Sequence, residues 1–92
     1  MVGIFQVGMK IPGPVFSLKE RRKYANSLKD NLKNRFNISL REVPDDKILN
    51  SIEFTIAYVA LDSGEIEKFQ SSLYSILGES TLETLYVNRE VI

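Results

Sequence analysis

Two changes of hydrophobic period constrain what this chain can fold into more than any other feature of it. In residues 2–11, Phe5, Val7, Met9 and Ile11 alternate with Gln6, Gly8 and Lys10, the period of two that buries one face of a strand. Beyond Ile11-Pro12-Gly13-Pro14 the period lengthens. Leu18, Ala25, Leu28, Leu32 and Phe36 fall within about 80° of one another at 100° per residue, a helical stripe. The same change recurs downstream. Ile52 to Leu61 alternates with both faces largely apolar, which marks a central strand, and Ile66, Phe69, Leu73, Ile76 and Leu77 then make a second helical stripe.

The punctuation agrees with the periods. Proline cannot continue a ladder and Gly13 permits positive φ, so residues 11–14 end the first strand. Ser17-Leu18-Lys19-Glu20 reads as a capping box, with the Ser17 hydroxyl accepting from the third helical amide and Glu20 reaching back to the Ser17 amide. From Leu18 to Phe36 that helix spans about 28 Å. Ile38–Val43 reads as a short strand stopped by Pro44-Asp45-Asp46, Asp62-Ser63 as the cap of the second helix, Gly78 as its C′ glycine, and residues 82–91 as a last strand. The order β-α-β-β-α-β is a split βαβ arrangement, and right-handed crossovers place both helices on one face. The expectation is an α+β, ferredoxin-like βαββαβ sandwich with a four-stranded antiparallel sheet. Ninety-two residues make one domain, residues 1–92, able to bury roughly 60–65% of its unfolded surface.

Composition narrows the chemistry. Without cysteine there is neither a disulfide nor a thiolate metal site, and without histidine the commonest general base and transition-metal ligand are gone. Gly3–Lys10 superficially resembles a phosphate loop, yet the lysine is one position late, no Ser or Thr follows it, and the segment is itself a strand. Glu42, Asp45 and Asp46 form a conceivable Mg²⁺ site, though an acidic turn beside Pro44 accounts for them more simply. The sequence offers no catalytic set, metal site, cofactor motif or small-molecule substrate. No apolar run approaches the roughly 20 residues of a membrane span. The start lacks a basic region followed by a cleavage site, so the expected location is the cytoplasm.

Net charge is zero but segregated. Residues 1–41 carry nine Lys/Arg against Glu20 and Asp30, and residues 42–92 carry three against ten acids. Such asymmetry points to a polyanion-facing surface; the plainer reading is two halves that complement each other in the fold. The candidate surface is the first helix, where Lys19, Arg22, Lys23, Lys29, Lys33 and Arg35 are interleaved with Asn26, Asn31 and Asn34, a set suited to phosphate and sugar contacts. Arg41 extends it toward the second strand. Arg21 is separate. It sits at the margin of the apolar stripe in the first turn, where the helix dipole disfavours a cation. It reads either as an anion site with the turn amides or as a packed stem whose guanidinium meets a carboxylate.

The sheet face away from the helices is expected to present Gln6, Gly8, Lys10, Thr55, Ala57 and Val59. Lacking an aromatic pair on the first and third strands, it does not suit base stacking. As a flat small-residue face it suits another sheet, and so a homodimer.

Residues 17–39, from Ser17-Leu18-Lys19-Glu20-Arg21-Arg22 through Ser27-Leu28-Lys29-Asp30 to Asn34-Arg35-Phe36-Asn37-Ile38-Ser39, resemble the signature helix and second strand of the YlxP-like bacterial proteins, domain-of-unknown-function family 503. Ile11-Pro12-Gly13, Glu42-Val43 and Thr55-Ile56-Ala57-Tyr58-Val59 extend the likeness. The resemblance implies a ferredoxin-like fold and a small bacterial cytoplasmic protein without an assigned reaction. Genes of that family often lie beside translation-initiation and ribosome-maturation genes, which implies RNA or the ribosome as partner. The expectation is a non-catalytic RNA- or ribosome-binding protein; the alternative is a homodimeric protein-interaction module.

Overall fold

A computed structural model gives the fold and describes residues 1–43 and 49–92. Its elements are β1 (Val2–Lys10), α1 (Leu18–Arg35), β2 (Ser39–Val43), β3 (Ser51–Val59), α2 (Ser63–Glu79) and β4 (Glu83–Val91). The four strands form one antiparallel sheet in the order β2-β3-β1-β4, so β3 is central, as its two apolar faces require. This is the ferredoxin-like α+β arrangement expected from the periods.

One face of the sheet carries the core. Phe5, Val7 and Met9 of β1 and Ile52, Phe54 and Ile56 of β3 are buried beneath Ala25, Leu28 and Leu32 of α1 and Ile66, Phe69, Leu73, Ile76 and Leu77 of α2. Phe69 is its hub. The ring stacks on Tyr58 at 4.3 Å and meets Phe5 and Phe36 edge-on at 5.2 and 5.0 Å, geometries that add about 0.5–1.5 kcal/mol per pair beyond area burial. α1 lies against the β2 side and α2 against the β4 side: Arg21 of α1 bonds Glu42 of β2, and Arg89 of β4 bonds Glu67 and Gln70 of α2.

Both helices begin alike, with a twist on the expected cap. The Ser17 hydroxyl accepts from the Glu20 amide, but the Glu20 carboxylate accepts from the amide of Phe16 rather than that of Ser17. Asp62 and Glu65 repeat the device, with the Glu65 carboxylate accepting from the Leu61 amide. In each case the glutamate satisfies the amide just outside the cap and ties the entering chain to the helix. Gly13 has the positive φ its turn needs, 82°. Gly78 does not end α2. It lies inside the helix, without positive φ, and the last residues close on Ser80, whose amide donates to the Leu77 carbonyl.

Two features of β4 are invisible to periodicity. A bulge places Tyr86 opposite Gly8 but Thr84 opposite Met9, leaving Leu85 as the extra residue and reversing the in–out phase of the strand there. At its far end β4 closes on β1 through reciprocal backbone bonds, Val2 N–H to Ile92 C=O at 2.8 Å and Ile92 N–H to Val2 C=O at 2.9 Å.

Candidate nucleic-acid interface on the first helix

A helix packed through the stripe Ala25, Leu28 and Leu32 turns its opposite side to solvent. Lys19, Arg22, Lys23 and Lys33 are exposed there, together with Asn26, and none of the four cations is in an ion pair among the described residues. At 100° per residue these side chains share an arc of about 100°. Asp30 lies within the same arc.

The remaining basic residues are placed elsewhere. Lys29 is at the flank next to β2, its Nζ 3.6 Å from Glu42 Oε2. Arg35 falls on the other flank, toward α2, and its Nε donates to Asn31 Oδ1 at 3.0 Å, one turn back. Arg41 cannot extend the band. Its neighbours Leu40 and Glu42 face the helices, and it pairs in register with Thr55 on the open face of the sheet.

Arg21 is not an open anion site. The residue is 4% exposed; its Nη1 donates to Glu42 Oε1 at 2.9 Å, and its Nε and Nη2 donate to the Ser51 carbonyl at 3.3 and 3.0 Å. Glu42 is therefore shared between Arg21 and Lys29, which offsets the unfavourable placement of a cation in the first turn of α1. That commitment also removes Glu42 from the conceivable Mg²⁺ site; Asp45 and Asp46 lie outside the described residues, and among the described residues no three potential ligands cluster. Gly3–Lys10 is a strand, β1, as its alternation implied.

On the open face, register groups side chains into rows across the sheet. One row is Val43–Glu53–Gly8–Tyr86, the next Arg41–Thr55–Gln6–Asn88, the next Ser39–Ala57–Ile4–Glu90, and Val59 beside Val2 continues it. Gln6, Thr55, Ala57 and Val59 stand on this face as the alternation implied. Gly8 does not lie open. The Tyr86 ring covers it, so that a Cβ there would stand 2.7 Å from Tyr86 Cδ1 and closer still to Cζ and Cε1. The Tyr86 hydroxyl reaches across β1 to donate to Glu53 Oε1 at 2.7 Å. That hydrogen bond, then burial and the negative charge of Glu53, hold the phenol's pKa up at about 12; ionising it would remove the donor and set two anions side by side. The face is thus not flat, and Tyr86 and Glu53 were the residues missed. The only sequence signal for them was a glycine within a strand, which marks a close approach. Beside β2, a shallow groove of about 570 Å³ is lined by Leu40, Val43, Thr55 and Ala57 among others.

No helix among the described residues is long and apolar enough to cross a membrane. The model of a family described as "Protein of unknown function (DUF503)" matches residues 2–89. Among solved structures, the structural-genomics protein YJCS superposes with a TM-score of 0.61 at 11% identity, over 100% of this chain and 99% of its own; at that identity the likeness concerns fold alone. The de novo designed protein Ferredog-Diesel aligns with a TM-score of 0.49 at 11% identity, over 99% of this chain and 85% of the design. No curated protein matches.

Proposed function

The chain belongs to the DUF503 family, and from that premise we propose that it is a non-catalytic cytoplasmic protein that binds structured RNA, ribosomal RNA foremost, through the outer face of α1. The observation that carries this reading is the exposure of Lys19, Arg22, Lys23 and Lys33 on one side of a long helix, without ion-pair partners among the described residues. Flexible ammonium groups interleaved with asparagine suit phosphate and sugar contacts that read shape and charge rather than sequence. Lys29 and Arg41, drawn off to Glu42 and to the opposite sheet face, are left out of the interface.

Three to four phosphate contacts on duplex RNA imply that log K falls with log salt at a slope of about −3 to −4. Raising monovalent salt fourfold should then weaken binding by about 40- to 150-fold. The test is co-sedimentation of the purified protein with bacterial ribosomal subunits at low and moderate salt, beside a Lys19→Glu/Lys23→Glu/Lys33→Glu variant verified as folded by circular dichroism. Salt-sensitive pelleting that the variant loses is the expected result. Pelleting that the variant retains, or none at either salt, overturns the reading and leaves α1 as a solvated face.

A further inference from the structure

The open face of the sheet carries Glu53 and Lys10 on its central strands and, at its two edges, charges of opposite sign. Arg41 stands on β2 and Glu90 on β4, one row apart, with β3 and β1 between them. Three strand spacings, about 14 Å, separate the two edges, too far for Arg41 and Glu90 to pair within one chain. Between them lies an apolar strip, with Ile4 beside Ala57 and Val2 beside Val59. Its end is open: Val59 is 75% and Ile92 69% exposed. Apolar side chains contiguous on one sheet face, half-buried at Val2, Ile4 and Ala57 and open at Val59 and Ile92, with opposite charges at the two edges, describe a surface for association.

We propose that this face binds the same face of a second copy of the chain, as an aligned two-sheet sandwich about a two-fold axis running parallel to the strands between β3 and β1. Such an axis exchanges the columns: β2 of one copy lies over β4 of the other, and β3 over β1. The rows keep their level. Arg41 then stands over Asn88 of the partner subunit, within one row of Glu90 of the partner subunit, and the contact occurs twice by symmetry. Ala57 meets Ile4 of the partner subunit, and Val59 meets Val2 of the partner subunit. Glu53, over Gly8 of the partner subunit, comes within one row of Lys10 of the partner subunit. The groove beside β2 accommodates the partner's β4 edge.

Sheets stack about 10 Å apart with their strands about 30° off parallel, which long side chains such as Arg41 and Lys10 bridge. Four strands of nine or fewer residues give a footprint of about 500–600 Å² per copy, so the two copies together bury about 1,000–1,200 Å², the low end for a specific interface. This inference stands apart from the RNA reading: α1 lies on the far side of each sheet and stays outside the sandwich.

The test is sedimentation velocity of the full chain over a range of concentrations, with Arg41→Glu, Glu90→Arg, the double variant and Val59→Asp, all at exposed positions and each checked for intact folding by circular dichroism. A concentration-dependent dimer is expected. Each single charge reversal should weaken it about tenfold or more, the double reversal should restore most of the loss, and Val59→Asp should leave monomer. A wild-type chain that remains monomeric up to about 1 mM overturns the proposal. So does a dimer indifferent to Arg41→Glu and Glu90→Arg, or one that the double reversal fails to rescue.

Discussion

Arg21 and Glu42 show what one buried cation asks of its surroundings. A guanidinium held inside a fold without a counter-charge is costly, so removing one partner of such a pair typically destabilises by about 3–5 kcal/mol, whereas replacing both by apolar groups can be neutral. Glu42→Gln should therefore lower the free energy of unfolding by several kcal/mol in a denaturant titration, and Arg21→Met combined with Glu42→Leu should recover much of that loss. The second residue-scale prediction concerns Tyr86. Its folded pKa of about 12 stands above the ordinary value of 10.0, so the folded state holds this proton more tightly than the unfolded chain. The associated stability is complete below about pH 10 and is lost as pH rises toward 12. A plot of melting temperature against pH should fall across that window in the wild type and fall less in Tyr86→Phe. Arg21 was half-legible: its place at the edge of an apolar stripe announced a partner, but a carboxylate twenty-one residues away could not be picked out by helical spacing. Tyr86 was signalled only through Gly8: a glycine within a strand marks a close approach, but which residue makes it depends on which strands adjoin and in what register.

At the scale of elements, periodicity carried almost everything. The apolar stripes of both helices, apart from Leu18, and the inward residues of β1 and β3 form the core or, like Phe36 and Tyr58, pack against it, because burial on one side of a regular element leaves its period in the sequence. The ends were less secure. β2 begins at Ser39 and β3 stops at Val59, inside the apolar runs that suggested them; Ala60 still donates its amide to the Met1 carbonyl opposite it, and Leu61 turns its amide to the Glu65 carboxylate at the start of α2. Gly78 misled for a physical reason. Glycine is favoured just past a helix because it tolerates positive φ, yet here it keeps helical φ, and a Cβ added to it meets nothing within 4 Å. Gly78→Ala should accordingly stabilise the protein, by up to about 1 kcal/mol, in chemical denaturation. A C′ glycine would give the opposite sign. The bulge at Leu85 belongs at this scale too: one inserted residue reverses the alternation of β4, so face assignments that alternation supports for β1 and β3 fail for β4.

For the whole molecule, segregated charge proved only partly a property of the surface. The excess of basic residues in the first half is divided four ways: into the interior with Arg21, across to the open sheet face with Lys10 and Arg41, to the flanks of α1 with Lys29 and Arg35, and onto the outside of α1 with Lys19, Arg22, Lys23 and Lys33. Counting charge along a chain cannot separate these destinations, because strand register and helix phase distribute neighbours to different sides. The molecule thus has two faces with different chemistry, a polar basic one over α1 and a partly apolar one under the sheet. The salt response expected of RNA binding belongs to the first. The association expected of paired sheets depends on burying Ile4, Ala57 and Val59 and should be far less sensitive to salt than ribosome binding.

The reciprocal bonds between Val2 and Ile92 have a mechanical meaning. The first strand and the last lie side by side and antiparallel, with the start of one against the finish of the other. Traction on the two ends of the chain would therefore not shear many rungs together. It would concentrate on the terminal rung, break it, and pass to the next, as a zipper opens. The same sheet that resists heat through a shared core would yield to a pull one rung at a time.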